Sequence, residues 1–282
     1  MTKQREAVTF GADPELFLRD TDTGDVAPAC GLFGGTKGEP APIRGLPTGF
    51  GVQEDNVMLE YNIPPAIGRA QFASQLWTAY EAVQRLVHTK GYEIDVNPSR
   101  VFGLEKLQHP SSRIFGCSPD FNAYARGEPL PPIDDTILRH EAGEWRFAGG
   151  HVHIGYTAEL PHFVVAAFAD IFLSLPMLGF DLQGERRKHY GTAGRYRPTS
   201  YGIEYRTLSN AWVHTPRTTT ELAMYAENLG SFINNCTPEI VHKMYVTTVW
   251  GDVREAINTE DAHWGAQIFS DFSERLDEVK GN

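Results

Sequence analysis

Three pairs of functional side chains, each split by a single residue, constrain this chain more than any other feature. Glu204-Tyr-Arg206 places an acid and a base two apart inside the run Gly202-Ile-Glu-Tyr-Arg-Thr-Leu-Ser-Asn-Ala211. His151-Val-His153 does the same with two imidazoles after Gly149-Gly150, and Asp13-Pro-Glu15 does it with two carboxylates. On a strand, residues i and i+2 project from one face. Each pair sits in a run that reads as β, so the three predict one sheet lining one charged site.

The rest of the chain supplies the frame. Ala7 to Arg19 and Phe50 to Asn62 read as extended, the latter stopped by Pro64-Pro65. Arg69 to Thr89 is a helix candidate, with Phe72, Leu76, Ala79, Tyr80, Val83, Leu86 and Val87 at spacings of three and four and a stop at Lys90-Gly91. Tyr92 to Cys117 reads as short strands, Arg146 to Tyr156 as one strand, Pro161 to Phe180 as a helix and Tyr201 to Leu208 as a strand. Thr220 to Asn235 reads as an amphipathic helix, and Pro238 to Val279 as further helix. The segments Gly31 to Thr48, Pro119 to Gly143 and Arg186 to Ser200 read as loops. Strands and helices do not alternate strictly, so the expected class is α+β: an antiparallel or mixed sheet, helices on one face, the other face free for a site. No linker or repeat divides the chain, so residues 1–282 are expected to form one catalytic domain, with a helical extension over about 216–282.

Charge narrows the partners. The formal net charge of −11 argues against a broad nucleic-acid surface, which needs clustered Lys and Arg, but leaves room for a free nucleotide. Three scattered cysteines, Cys30, Cys117 and Cys236, suit neither a disulfide framework nor a zinc knuckle. Their odd number, and a start with no apolar signal-peptide region, fit a cytoplasmic protein. The apolar run Phe163 to Phe180 contains Asp170, Ser174 and Pro176, and reads as a buried helix, with no membrane association expected.

Each charged motif has a plainer reading. Taken alone, Asp13 and Glu15 read as solvent-facing acids, and Pro14 between them points to a sheet edge or bulge. Glu60 lies in an apolar run, where a carboxylate needs an arginine or a metal; Glu54 and Asp55 lie just upstream. A cupin-type oxygenase would also use His-x-His, but the acid and late histidine that complete its set are missing. Arg186-Arg-Lys-His-Tyr-Gly-Thr-Ala-Gly-Arg195-Tyr-Arg197 reads either as charged surface or as a clamp for phosphate and carboxylate, which guanidinium forks pair bidentately. Oxygen ligands with a histidine suit Mg²⁺ or Mn²⁺ better than zinc. No nucleophile elbow or Walker loop accompanies them. The sum points to phosphoryl chemistry on a metal-bound nucleotide, where positioning and charge neutralisation dominate.

In that order the motifs resemble those of a known group. Asp13-Pro-Glu15-Leu-Phe resembles the Glu-x-Glu-Phe-Phe strand of glutamine synthetase, Gly149-Gly-His151-Val-His153 its Gly-x-His-x-His strand, and Ile203-Glu204-Tyr-Arg206 its Ile-Glu-x-Arg strand. The whole set, over about residues 8 to 215, is more similar to the phage carboxylate–amine ligases of the glutamine synthetase and glutamate–cysteine ligase superfamily. The resemblance implies a curved, mostly antiparallel sheet and two divalent ions. Asp13, His151 and Glu204 match ligands of one ion; Glu15 and Glu60, with Glu54 or Asp55, match ligands of the other. His153 and Arg206 match phosphate-facing positions, and Arg195 and Arg197 resemble arginines that hold phosphate and substrate carboxylate. Asp13 stands where those relatives carry a glutamate, and the small β-grasp domain of glutamine synthetase has no counterpart.

The expectation that follows is an ATP- and Mg²⁺- or Mn²⁺-dependent ligase joining a carboxylate to an amine through an acyl phosphate. Its substrates would be small molecules or peptides and its location the host cytoplasm if phage-encoded; the sequence leaves assembly open, a homo-oligomer being one possibility. Two alternatives are a non-catalytic nucleotide-binding module and a metal-dependent phosphohydrolase.

Overall fold

The computed structural model describes residues 7–113, 120–131 and 135–281; Cys117 lies outside them. Its strands of four or more residues are β1 (Thr9–Asp20), β2 (Gly51–Asp55), β3 (Met58–Asn62), β4 (Tyr92–Asp95), β5 (Ser99–Phe102), β6 (Gly143–Phe147), β7 (Gly150–Gly155), β8 (Arg195–Thr199) and β9 (Gly202–Tyr205). The main sheet runs Ala41–Pro42, β2, β3, β1, β7, β9, β8, Phe121–Asn122, and β4 also pairs with β1. β6 sits between Arg139–His140 and β5 in a separate three-stranded sheet. Every pairing named here is antiparallel. The class is α+β, as expected.

The main sheet differs from expectation in several places, one being β8, a strand inside the segment Arg186 to Ser200 that reads as a loop. β1 is central, not an edge, despite Pro14. It pairs with β7 along Thr9 to Pro14, while its other side pairs with Ala66–Ile67 at Thr9 and Phe10 and with β3 at Glu15 and Leu16. Glu15 donates its N–H to Gly149 on the β7 side, so by alternation the N–H that Pro14 lacks would point to the other side, between those two pairings. A central proline is tolerated because no ladder bond is lost there. The single strand expected over Arg146 to Tyr156 is two, β6 and β7, in different sheets. The break falls at Ala148-Gly149, where the chain leaves the small sheet for the main one.

The helices are α1 (Gly68–His88), α2 (His162–Ala169), α3 (Glu185–His189), α4 (Pro216–Asn235), α5 (Pro238–Thr247), α6 (Trp250–Asn258) and α7 (Ala262–Gly281). α4 starts four residues before its apolar periodicity because Thr215 and Thr218 form a reciprocal cap around Pro216. α2 continues through a π-turn, Asp170–Ser174, into Leu175–Met177. The helical layer covers one face of the sheet. Phe72, Leu76 and Val83 of α1 and Leu222, Leu229 and Phe232 of α4 are all buried in the same core as Val152, Ile154, Ile203 and Tyr205 of the sheet. Each such large apolar side chain stabilises the packing by about 1.5–3 kcal/mol. Phe272 and Leu276 bring α7 into that core. No helix among the described residues is long and apolar enough to cross a membrane.

Candidate metal centre

The alternation that buries Val152, Ile154, Ile203 and Tyr205 under the helices turns their neighbours to the opposite face. Register then aligns the charged residues in rows. Gln53, Glu60 and Glu15 are opposite one another across β2, β3 and β1. Asp13 faces His151 across β1 and β7, and His153, Glu204 and Arg197 align across β7, β9 and β8. All three sequence pairs therefore share one face of one sheet.

Two clusters result, each with ligand atoms within 4.8 Å of one another: Asp13, His153 and Glu204, and Glu15, Asp55 and Glu60. In the first, Asp13 Oδ1 is buried, 3.1 Å from His153 Nε2 and 3.5 Å from His151 Nδ1, without a hydrogen-bond partner. His151 Nδ1 is also 3.5 Å from Glu204 Oε1. Both imidazoles thus meet the same carboxylate, and the structure does not separate them into one metal-facing and one phosphate-facing ring. Gly11 lies opposite His153, and a Cβ there would stand 3.4 Å from the His153 Cβ. Gly149 has a tighter reason: a Cβ would lie 2.2 Å from the His151 ring. The double glycine makes room for the protein's own imidazole and, at Gly150, for the Ser209 main chain.

Around this cluster Glu204 accepts from Arg197 and from Arg206. Tyr201 hydrogen-bonds His153 Nδ1. Burial would raise the Asp13 carboxyl, but the charges of His153 and His151 outweigh it and hold it well below the usual range. Burial would lower His153, yet Asp13, with Glu204 and Glu60, pushes it up to about 9. Glu204 is held down, against its burial, chiefly by Arg206.

The second cluster is all carboxylate. Glu15 accepts from the Gly149 N–H at 2.5 Å, and Glu60 accepts from Gln53 at 2.8 Å and Asn62 at 3.3 Å. Burial and the Glu15 charge push Asp55 up to about 6. Burial, with Asp13, Glu15 and Asp55, pushes Glu60 well above its ordinary value. Crowded buried oxygens of one sign hold either protons or a cation, and an all-oxygen set suits a hard divalent ion. Strand alternation separates Asp55 from its neighbour: Glu54 turns away and accepts three main-chain N–H groups, from Gly31, Phe33 and Gly34, at 2.6–2.8 Å.

The arginines divide. Arg197 and Arg206 reach the site through Glu204. Arg195 is held by Asp120 at 2.8 Å and by the His189 carbonyl. Arg186 and Arg187, expected on a surface or in a clamp, are fully buried, because α3 and its flanks fold under the segment 206–209. Arg186 donates to the Arg206 and Thr207 carbonyls, and Arg187 to Asp181. A small cavity of about 40 Å³ opens beside the acid cluster, bounded by Glu15, Asp55, His151 and Arg206 and, from the small sheet, by Arg146 and Phe147. A second recess of about 250 Å³ lies beside His153, over Gly11 and Gly155 and flanked by Tyr201, Asn62 and Pro65.

Gln53, Asn62, Tyr201 and Arg146 were missed from sequence. Gln53-Glu-Asp55 and Glu60-Tyr-Asn62 carry the same one-residue split as the three founding pairs, a signal that was there to read.

Fold and site define an α+β protein with two neighbouring clusters that could each hold a divalent ion. Residues 137–249 match the model of the family described as Phage phiEco32-like COOH.NH2 ligase-type 2, the group that the motifs resemble. The match spans His151, His153, Glu204 and Arg206, while the acids of β1, β2 and β3 lie before it and join by sheet pairing. No curated protein matches the chain.

Proposed function

We propose that this protein is an ATP- and divalent-metal-dependent ligase that joins a carboxylate to an amine. The observation that carries the proposal is that two metal-competent clusters share β1, within a sheet whose β7 and β9 fall in the ligase-type family match. Asp13 Oδ1, set between two imidazoles, and the crowded acids Asp55 and Glu60 are the groups a pair of Mg²⁺ or Mn²⁺ ions would engage. Asp13, His151, His153 and Glu204 would hold one ion; Glu15, Asp55 and Glu60 the other. Bound there, the ions supply charge neutralisation to phosphate oxygens.

The chain's own groups would do the rest. Arg197 and Arg206 gather positive charge where phosphate oxygens would lie. The recess beside His153, floored by glycine and walled by Tyr201, takes the flat base of the nucleotide. The cavity beside Glu15 and Asp55 takes the carboxylate substrate, with Arg195 bracing its wall through Asp120. The carboxylate oxygen attacks the terminal phosphorus of ATP, ADP leaves, and an amine displaces phosphate from the acyl phosphate to form the amide. A curved sheet of the glutamine synthetase type and a single catalytic domain belong to the same proposal. The test is ADP release over a panel of acids and amines: release that requires both supports a ligase, release with water alone supports a phosphohydrolase, and nucleotide binding without turnover supports a binding module.

A further inference from the structure

Asp170 is the one acid set in the most apolar helical stretch of the chain, and it is fully buried. It opens the π-turn that follows α2. A single π-turn in an α-helix is uncommon and recurs at functional positions. Four donors from three pieces of chain converge on its carboxylate. Tyr124 donates its hydroxyl to Oδ2 at 2.6 Å, Tyr205 donates its hydroxyl to Oδ1, and Thr207 Oγ1 lies 3.4 Å from Oδ1. The main-chain N–H of Gly194, just before β8, is the fourth donor. None of these groups takes part in the chemistry proposed above.

Their positions in sequence give the arrangement its meaning. Tyr205 lies between Glu204 and Arg206, and Thr207 follows Arg206; on extended backbone they project to the side opposite Glu204 and Arg206. Gly194 precedes Arg195 and Arg197. One carboxylate therefore grips, from beneath, both strands that carry Glu204, Arg206, Arg195 and Arg197. Thr207 Oγ1 extends the grip by accepting the Arg195 N–H at 3.2 Å. Stability alone does not call for such a hub, since buried ionic groups are often replaceable by apolar ones at no loss. Fixing two strands to within a fraction of an ångström does call for it, because loosely held ligands lose metal affinity.

We propose that Asp170 is a positioning residue that sets Glu204 and Arg206 in register with Asp13 and His153 for divalent-ion binding. The inference rests on the metal-site reading above, so its test reads ion binding and not turnover. Mn²⁺ would be titrated into the full chain and followed by electron paramagnetic resonance, with near-ultraviolet circular dichroism as the check on folding. Asp170→Asn and Tyr205→Phe are each expected to weaken one of two Mn²⁺ ions about tenfold while leaving the spectrum native. Ser174→Ala, which removes a hydroxyl that touches Tyr205 at 2.5 Å but not Asp170, is expected to stay within about twofold. Natively folded Asp170→Asn binding Mn²⁺ as tightly as wild type would overturn the inference; so would Ser174→Ala losing as much as Asp170→Asn. Wild-type protein that binds no Mn²⁺ would instead overturn the metal-site reading beneath it.

Discussion

The two clusters sit on the same strand and differ in how their charge is settled. Around Asp13 and Glu204, imidazoles and guanidiniums already balance the acids: Asp13 and Glu204 are held ionised and His153 stays protonated up to about pH 9. Around Glu15, Asp55 and Glu60 the amides of Gln53 and Asn62 bond Glu60, the charges of Lys37, His151 and Arg206 only partly offset the crowding at Asp55, and Asp55 and Glu60 keep protons beyond their ordinary range. An ion held through His153 must displace the proton that Asp13 keeps on that ring, and the second cluster becomes fully ionised only with its ligand. An ion entering the second must displace protons, so its affinity depends on pH across the weakly acidic range.

The largest expected effect breaks the balanced cluster. Glu204→Ala strips the buried Arg206 and the half-buried Arg197 of their shared carboxylate, and removing one partner of a buried pair costs about 3–5 kcal/mol. Urea unfolding is expected to show that loss, and ADP release to fall by at least ~10²-fold. A neutral result in unfolding would mean that the arginines do not depend on Glu204.

The next effect separates the clusters by pH. Asp55 carries a folded-state pKa raised from 3.8 to about 6, so its protonated form contributes stability below pH 3.8 that is lost as pH rises to about 6. Metal-free protein at pH 7.5 should therefore gain up to about 3 kcal/mol from Asp55→Asn, and the same variant given Mn²⁺ should bind one ion fewer. Asp13 has the opposite sign: its contribution is present above pH 3.8 and fades only as pH falls through its depressed pKa. Thermal melts with and without Mn²⁺ should show a larger metal-induced rise at pH 7 than at pH 5, and Asp55→Asn should flatten the difference.

Smaller effects sharpen the boundary of the site. Tyr201→Phe removes the hydroxyl on His153 Nδ1 and is expected to weaken Mn²⁺ binding roughly tenfold, read by calorimetry. Glu54→Gln should leave both ions in place. Its expected consequence is faster hydrogen exchange at Gly31, Phe33 and Gly34, whose N–H groups it anchors.

The site was legible in sequence to the extent that it obeys a local rule. A one-residue split on a strand predicts a shared face, and that rule placed Asp13, Glu15, His151, His153, Glu204 and Arg206 on the same side of one sheet. It could not choose between Glu54 and Asp55, because either parity is possible until the partner strand is known; register with Glu60 puts Asp55, and not Glu54, on the acid-cluster face. The edge expected at Pro14 failed because a proline reports a missing donor, not which side of the strand is unpaired. Arg186 and Arg187 read either as charged surface or as a clamp, and nothing local announced the main-chain carbonyls of Arg206 and Thr207 to which they donate. The division of Arg146 to Tyr156 into two sheets, and the gathering of Tyr124, Tyr205 and Thr207 on Asp170, depend on contacts far apart in the chain.

The central claim is that both clusters bind divalent ions at once. Anomalous diffraction from crystals grown with Mn²⁺ and an ATP analogue that resists hydrolysis tests it most directly. The account predicts two manganese peaks, one among Asp13, His153 and Glu204 and the other among Glu15, Asp55 and Glu60. A map in which either cluster lacks manganese while nucleotide is bound would contradict it.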